Sequence, residues 1–462
     1  MTGILERMTR PSSETAPGLL RVERELQARW PETRLEPSLT RISALVDLLG
    51  APHRAYPVIQ LTGTNGKTTT ARLVDELLRG FGLRVGRFTS PHLQTVRERI
   101  VLDGRPVDAE RFVETYDDIA PYVQMVDAAG EHPMSFFEVM VGLAYALFAE
   151  APVDVAVVEV GMGGTWDATN VVDARVAVVT PVALDHSEYL GPDVATIATE
   201  KAGIIKPESV TVLATQPADA LEALVRRAVD VDAVVAREGT EFGVLDRRVA
   251  VGGQQLRLQG LGGQYDDLFL PLFGAHQAQN AVTALAAVEA FLGAGATTGP
   301  IDVETVRAAF ARVTSPGRLE RVRTSPSVLV DAAHNPAGMA ATVAAVRESF
   351  DFTRLVGVVA CVRGKDVAGM LAELEPLCAE LVVTEHTSPR ALPADELGVL
   401  AVDVFGAERV SVQPRLPDAI SEAIELAEAG PDDALGGSGV LVTGSVITAG
   451  EARTLLAGGR RS

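Results

Sequence analysis

The sequence predicts an α/β protein of two domains, and three observations carry that expectation. Runs such as VDVAVVEVG (153–161) and ARVAVVTPV (174–182) are continuously β-branched or small, which suits parallel strands buried on both faces. Helical patterns lie between such runs, the alternation of a doubly wound sheet. The alternation breaks off at GAGATTGPID (293–302), which has a linker's composition, and then restarts. A length of 462 residues leaves room for two or three domains.

Taken in order, the first 18 residues read as a flexible tail without an apolar signal-peptide core. PVIQLTG (57–63) predicts a buried strand, 68–81 a helix, LRVGRF (83–88) a strand, and 136–149 a helix with almost no charge. The two β-branched runs follow. Between 236 and 270 the pattern turns to short alternating runs broken by Gly-Gly and Asp-Arg, as in antiparallel hairpins, and a helix over 277–292 closes the region. After the linker, SVLVDAA (327–333), RLVGVVA (354–360), ELVVTE (380–385) and GVLVTGS (439–445) read as strands with helices between them. The expected domains are therefore 19–296 and a smaller one at 301–462.

The net charge of −20 argues against nucleic acid and against an anionic membrane surface as partners, so a polyanionic ligand needs a local cationic site. Two cysteines in this length exclude a disulfide framework and fit a reducing cytoplasm. No stretch approaches the roughly 20 apolar residues that span a bilayer. Only four of the 41 basic Lys and Arg residues are lysines: Lys67, Lys201, Lys206 and Lys365. Arg replaces Lys wherever charge suffices but cannot become a neutral amine, so each surviving lysine is a candidate for chemistry.

LTGTNGKTTT (61–70) follows a predicted strand and opens a predicted helix, where backbone N–H groups and the helix N-terminus cradle phosphates. Position 61 is Leu, so the loop is the contracted G-x-x-G-K-T form, with Gly63 three residues before Gly66. Lys67 would reach the β/γ-phosphates and Thr68 or Thr69 a nearby Mg²⁺. The fold expectation becomes an N-terminal P-loop ATPase-type doubly wound domain plus a smaller C-terminal Rossmann-like α/β domain. Glu159 ends an apolar strand, where a carboxylate is costly unless paired or on a metal, and His186 and Lys201 follow it.

GTNGKTTT resembles the nucleotide loop of the Mur ligase superfamily. TSPHL (89–93), ERI (98–100), SFFE (135–138), EVGMGGTWDATN (159–170), LDHSEYLG (184–191), IATEKAGIIKP (197–207), GAHQAQNA (274–281), PGRLE (316–320) and DAAHNP (331–336) resemble, in order, motifs of the bifunctional dihydrofolate synthase/folylpolyglutamate synthase family. The resemblance implies ATP held by Thr64, Asn65, Gly66, Lys67, Thr68, Thr69 and Asn280, with Arg318, Asp331 and His334 from the second domain, so that ATP would lie in the cleft. It implies Mg²⁺ on Ser90, Glu159 and His186, and a CO₂-derived carbamate on Lys201, which only a lysine able to shed its proton can form. Ser135, Phe136, Phe137, Glu138, Asp167 and Ala168 resemble the segments that hold the pterin; both phenylalanines read equally well as core. Thr165-Trp166 departs from the family pattern, in which many relatives carry Arg followed by an apolar residue.

The implied activity is ATP-dependent ligation of L-glutamate to dihydropteroate, forming dihydrofolate, and to tetrahydrofolate or its polyglutamates, through an acyl phosphate. Lys67, His186 and Lys201 are the expected catalytic residues, and a cytoplasmic monomer is expected. Three readings compete, and one of them, a P-loop switch or motor, would need the longer loop and a separate effector surface. A peptidoglycan-precursor Mur-type ligase shares the phosphate loop, but TSPHL and EKAGIIKP favour the folate branch. A dinucleotide-binding protein would carry G-x-G-x-x-G after its first strand, which VGMGGT (160–165) imitates poorly.

Overall fold

The structure is a computed structural model that describes residues 15–31, 36–429 and 437–457. Compactness divides the chain into two units: Met1–Gly243, Gly260–Gly263 and Val282–Val306 form one, and Val244–Gln259, Gln264–Ala281 and Arg307–Ser462 the other. Residues 244–259 and 264–281, which lie before the linker and were expected with the first domain, therefore pack with the second.

In the first unit the strands are β1 (Val58–Thr62), β2 (Val85–Phe88), β3 (Ile100–Leu102), β4 (Arg105–Pro106), β5 (Val155–Glu159), β6 (Val176–Val179), β7 (Val210–Leu213) and β8 (Val234–Arg237). They form one sheet in the order β4-β3-β2-β5-β1-β6-β7-β8. The pairs from β2 across to β8 are parallel, and β3 and β4 extend the edge antiparallel. Every residue of β1 and β5 is buried, as expected of strands covered on both faces.

The covering helices are α1 (Thr15–Gln27), α2 (Thr40–Leu48), α3 (Lys67–Gly80), α4 (Ala109–Ala129), α5 (Phe136–Glu150), α6 (Ser187–Leu190), α7 (Val194–Lys201) and α8 (Ala218–Asp230). The nearly uncharged α5 lies in a core shared with Val22, Leu26, Ile42, Leu45 and Phe112. The other face is closed by Ile197, Ala198 and Leu224 from α7 and α8. Of the tail expected over 1–18, residues 1–14 lie outside the described residues; helix α1 already begins at Thr15 and buries Val22 and Leu26 completely, which corrects the upper bound.

Strand order decides where chemistry can gather. Because β5 and β6 flank β1, with Leu61 beside Glu159 and Thr62 beside Val179, the segments leaving the carboxyl ends of all three strands meet at one place. Such a switch point is where open α/β sheets bind ligands.

The second unit carries an antiparallel three-stranded sheet, β9 (Gly243–Ala250), β10 (Gly253–Gln259) and β11 (Gln264–Leu270), as the alternating pattern predicted. Helices α9 (Ala275–Leu292) and α10 (Val303–Arg312) follow in the chain, with α9 from Val282 on and α10 up to Val306 counted in the first unit. A six-stranded sheet comprises β12 (Glu320–Thr324), β13 (Ser327–Val330), β14 (Phe352–Val359), β15 (Glu380–Glu385), β16 (Val410–Arg415) and β17 (Gly437–Thr443), in the order β12-β13-β17-β14-β15-β16. All its pairs are parallel except the β12–β13 hairpin. Helix α11 (Pro336–Ser349) packs beside it. No helix among the described residues is long and apolar enough to cross a membrane.

Candidate active site

The loop between β1 and α3 takes its shape from two glycines. Gly63 has φ +140°, and a Cβ there would stand 1.9 Å from Thr180 Oγ1; Gly66, at φ +89°, precedes the first turn of α3. A side chain is excluded at the first by contact and disfavoured at both by conformation. The loop is tied to the segment leaving β6. The Thr64 and Asn65 amides donate to Pro181 O at 3.0 and 3.4 Å, and the Thr64 hydroxyl bonds both Ala183 O and Ala183 N at 3.0 Å. Lys67 is folded back onto its own loop, its Nζ donating to Gly63 O (2.9 Å) and Thr64 O (3.2 Å).

Lys201, at the end of α7 and only 4% exposed, reaches the same acceptor: its Nζ donates to Gly63 O at 3.0 Å. Burial, reinforced by the Lys67 ammonium, pulls its pKa down to about 7, so a neutral amine is accessible near neutral pH. The glycine-rich segment after β5 docks against α7 backbone to backbone. A Cβ on Gly164 would come within 2.7 Å of Lys201 O, and one on Gly203 within 2.2 Å of Thr165 Oγ1. Glu200 locks this joint, its Oε1 accepting from the Gly164 and Trp166 amides (3.3 and 3.4 Å), and burial raises its pKa. The divergent Trp166 therefore sits beside Lys201's helix, in a cavity of about 410 Å³ that it lines with Tyr189, Leu190, Ala195, Thr196, Thr199 and Glu200.

Glu159, 1% exposed at the end of β5, accepts from the Thr68 hydroxyl (2.9 Å) and the Ser90 amide (3.3 Å). The cost of burying this carboxylate is thus offset by hydrogen bonds. One carboxylate beside two hydroxyl-bearing residues is an all-oxygen donor set, which fits Mg²⁺, an ion that keeps waters and phosphate oxygens for its remaining positions. Among the described residues no group of three or more His, Cys, Asp or Glu is arranged to hold a metal ion, and a nucleotide-borne Mg²⁺ needs none. His186 immediately precedes α6, at φ +51°; its amide donates to Asp185 Oδ1 at 2.8 Å, and its Nε2 lies 3.9 Å from Asp185 Oδ2. Asp185 also bears electrostatically on Lys201.

The residues matched to pterin binding prove well engaged with the protein itself. Ser135 and Glu138 form a capping box on α5, and Glu138 also takes the Arg41 guanidinium at 3.0 and 3.2 Å. Phe137 lies 5.8 Å from the Phe88 ring, and the Arg99 guanidinium covers Phe136 at 4.9 Å while its Nε donates to His92 Nδ1 (2.9 Å). Burial, aided by the Arg99 charge, depresses the His92 pKa to about 4. Asp167 accepts from the Met162 amide (2.9 Å) and from the Thr169 amide and hydroxyl (3.0 and 2.5 Å). Burial nevertheless raises its pKa to about 6, and Ala168 beside it is also buried.

In the second unit Asp331 ties two motifs together. It accepts from the Leu319 amide (2.8 Å), next to Arg318, and from the Ala333 amide (2.8 Å) and Thr342 hydroxyl (2.9 Å). His334 Nδ1 lies 3.0 Å from Ala332 O, and Asn280 donates to Gln277 Oε1 at 2.9 Å. His276, half-buried and depressed in pKa chiefly by desolvation, feels the charges of Asp331 and Arg318. Sequence reasoning singled out neither His276 nor Asp185 and Glu200; the signal available for the last two was adjacency, in the dipeptides Asp185-His186 and Glu200-Lys201.

The family described as the Mur ligase middle domain matches residues 61–288, and the Mur ligase glutamate ligase domain matches 317–446. The dihydrofolate synthase/folylpolyglutamate synthase of Mycobacterium tuberculosis is 53% identical over 464 residues, covering 96% of this chain and 95% of its own. A solved M. tuberculosis folylpolyglutamate synthase complexed with ADP superposes with a TM-score of 0.92 at 53% identity, over 96% of this chain and 99% of that one. An Escherichia coli relative solved in complex with DHPP and ADP gives a TM-score of 0.82 at 29% identity, over 97% of this chain and 99% of that one.

Proposed function

Since the chain belongs to the dihydrofolate synthase/folylpolyglutamate synthase family of Mur ligases, we propose that it joins L-glutamate to dihydropteroate and to reduced folates at the expense of ATP. The observation that carries the site assignment is the meeting of Lys67 and Lys201 on Gly63 O, one strand away from the Glu159, Thr68 and Ser90 oxygens.

A carboxylate is a poor electrophile, so its oxygen first attacks the γ-phosphorus of ATP and ADP departs. The glutamate α-amine then attacks the acyl carbon, inorganic phosphate leaves, and the amine's proton passes to solvent. Lys67 leaves the Gly63 and Thr64 carbonyls for the phosphates, and the positive N-terminal end of α3 faces the same charge. Glu159, Thr68 and Ser90 would hold Mg²⁺, which when bound spreads the charge of phosphoryl transfer. Lys201, as its neutral amine, would add CO₂ and release a proton to become a carbamate; this anion and His186 would hold a second Mg²⁺ near the phosphates. Asn280, Arg318, Asp331 and His334 are the nucleotide contacts assigned to the second unit, and 135–138 with 167–168 shape the pterin side. The protein acts as a cytoplasmic monomer, in keeping with its two buried free thiols.

ATP- and glutamate-dependent product formation, measured side by side on dihydropteroate, tetrahydrofolate and a UDP-linked muropeptide, tests the reading. Turnover of both pterins and none of the muropeptide is expected; turnover of the muropeptide alone would install the peptidoglycan reading instead.

A further inference from the structure

Arg72 lies one helical turn after Thr68 on α3, so the two share a face. Helical side chains lean toward the N-terminus of their helix, which carries the Arg72 guanidinium back toward the level of Thr68 and the carboxylate that Thr68 bonds. Its electrostatic surroundings agree: Arg87, Asp75, Glu98 and Glu159 act on it, and burial pulls its pKa down to about 9. A guanidinium so placed should be paired with a carboxylate, but every carboxylate near it is committed elsewhere.

Asp75 receives Arg79 Nε (3.0 Å) and Arg87 Nη1. Glu98 receives the amides of Leu93 (2.9 Å), Gln94 and Thr95 (3.1 Å). Glu159 receives Thr68 and the Ser90 amide. Arg72 itself makes no hydrogen bond or ion pair with any described residue, while remaining partly exposed. An unpaired, largely desolvated guanidinium is costly in a folded protein unless a ligand supplies the missing anion.

Topology limits which anion that is. Lys67 and Lys201 stand over the β1–β6 side of the switch point, around Gly63. Arg72 shares its face of α3 with Thr68, whose hydroxyl bonds Glu159 at the end of β5, where the Ser90 amide also arrives from the segment after β2. The reaction brings two anions together, a γ-phosphate and a carboxylate, and their mutual repulsion requires a separate cation for each. The phosphate has Lys67 and the helix N-terminus. A planar fork of N–H donors matches a carboxylate in two-point contact.

We propose that Arg72 is the binding residue for the carboxylate of the acid substrate, holding the group to be phosphorylated on the β2–β5 side of Glu159. The assignment rests on the ligase reading above and adds to it a residue that none of the family motifs singled out.

The test uses the full-length protein and its variants Arg72→Met and Arg72→Lys, with dihydropteroate, ATP and glutamate. In Arg72→Met the KM for dihydropteroate is expected to rise at least tenfold while that for ATP stays within twofold. Thermal stability in the absence of ligand should hold or increase, because a buried unpaired charge has been removed, and the stabilisation given by dihydropteroate should vanish. Arg72→Lys, which keeps the charge but loses the fork, should raise the same KM at least threefold. An unchanged KM for dihydropteroate, or an equal rise in that for ATP, overturns the proposal. If Arg72→Met does not fold, Arg72→Lys decides by the same threefold criterion. A wild-type protein inactive on every pterin would instead sink the ligase reading, an outcome distinguishable because it does not involve Arg72.

Discussion

Lys201 carries two facts at once, deep burial and a single carbonyl acceptor, and both shape what its replacement should do. Lys201→Ala removes the amine that would carry the carbamate but leaves room near Gly63 O. Its ligase rate should fall by two or more orders of magnitude, the scale on which a preorganised charge in a desolvated site acts. Added acetate or propionate should restore part of it; an unrescued mutant as active as wild type would exclude the carbamate role. Asp167 gives a pH signature. Burial holds its folded-state pKa near 6, above the ordinary 3.8, so the folded protein keeps a proton that the unfolded chain releases between those values. The stability this confers is complete below about 3.8 and lost as pH rises through about 6. Urea unfolding at several pH values should show that slope in the wild type, and a flatter one in Asp167→Asn.

At the scale of elements, the capping box on α5 is the clearest case of local sequence setting structure. Ser135→Ala removes the side-chain acceptor for the Glu138 amide and should cost about 1 kcal/mol, read as a lower urea midpoint at constant slope. Elements buried on both faces, such as β1, β5, β6 and α5, were legible because continuous apolar runs leave few alternatives. Edge elements were not: β4 is the exposed dipeptide Arg105-Pro106, β12 is ERVRT, and β16 is VSVQPR, with no apolar run to announce a strand. In the site, the motifs pointed to Lys67, Glu159 and Lys201. They could not show that both lysines share one carbonyl, or that the Thr68 hydroxyl and the Ser90 amide meet on Glu159. Those are relations across strands brought side by side by the order β2-β5-β1-β6, and no local pattern encodes strand order.

Over the whole molecule, tertiary pairing overrode the linker as a boundary. Residues 244–259 and 264–281 belong with the second unit because their polar groups are satisfied there: Gln254 Nε2 donates to Leu272 O and Gly274 O (2.9 and 3.1 Å), and Arg247 pairs with Glu348. Composition had no access to that choice. It does govern the response to salt. With a net charge of −20, self-repulsion is strongest when screening is weak, so raising ionic strength from about 10 mM to about 150 mM should raise the melting temperature by a few degrees in calorimetry. The convergence of Lys67 and Lys201 on one peptide oxygen has a practical side as well. Two of the chain's four lysine side chains occupy a single spot, so amine-selective labelling followed by mass spectrometry becomes a direct gauge of the phosphate loop. With so few competing amines elsewhere, protection of one peptide by ATP can be followed almost free of background.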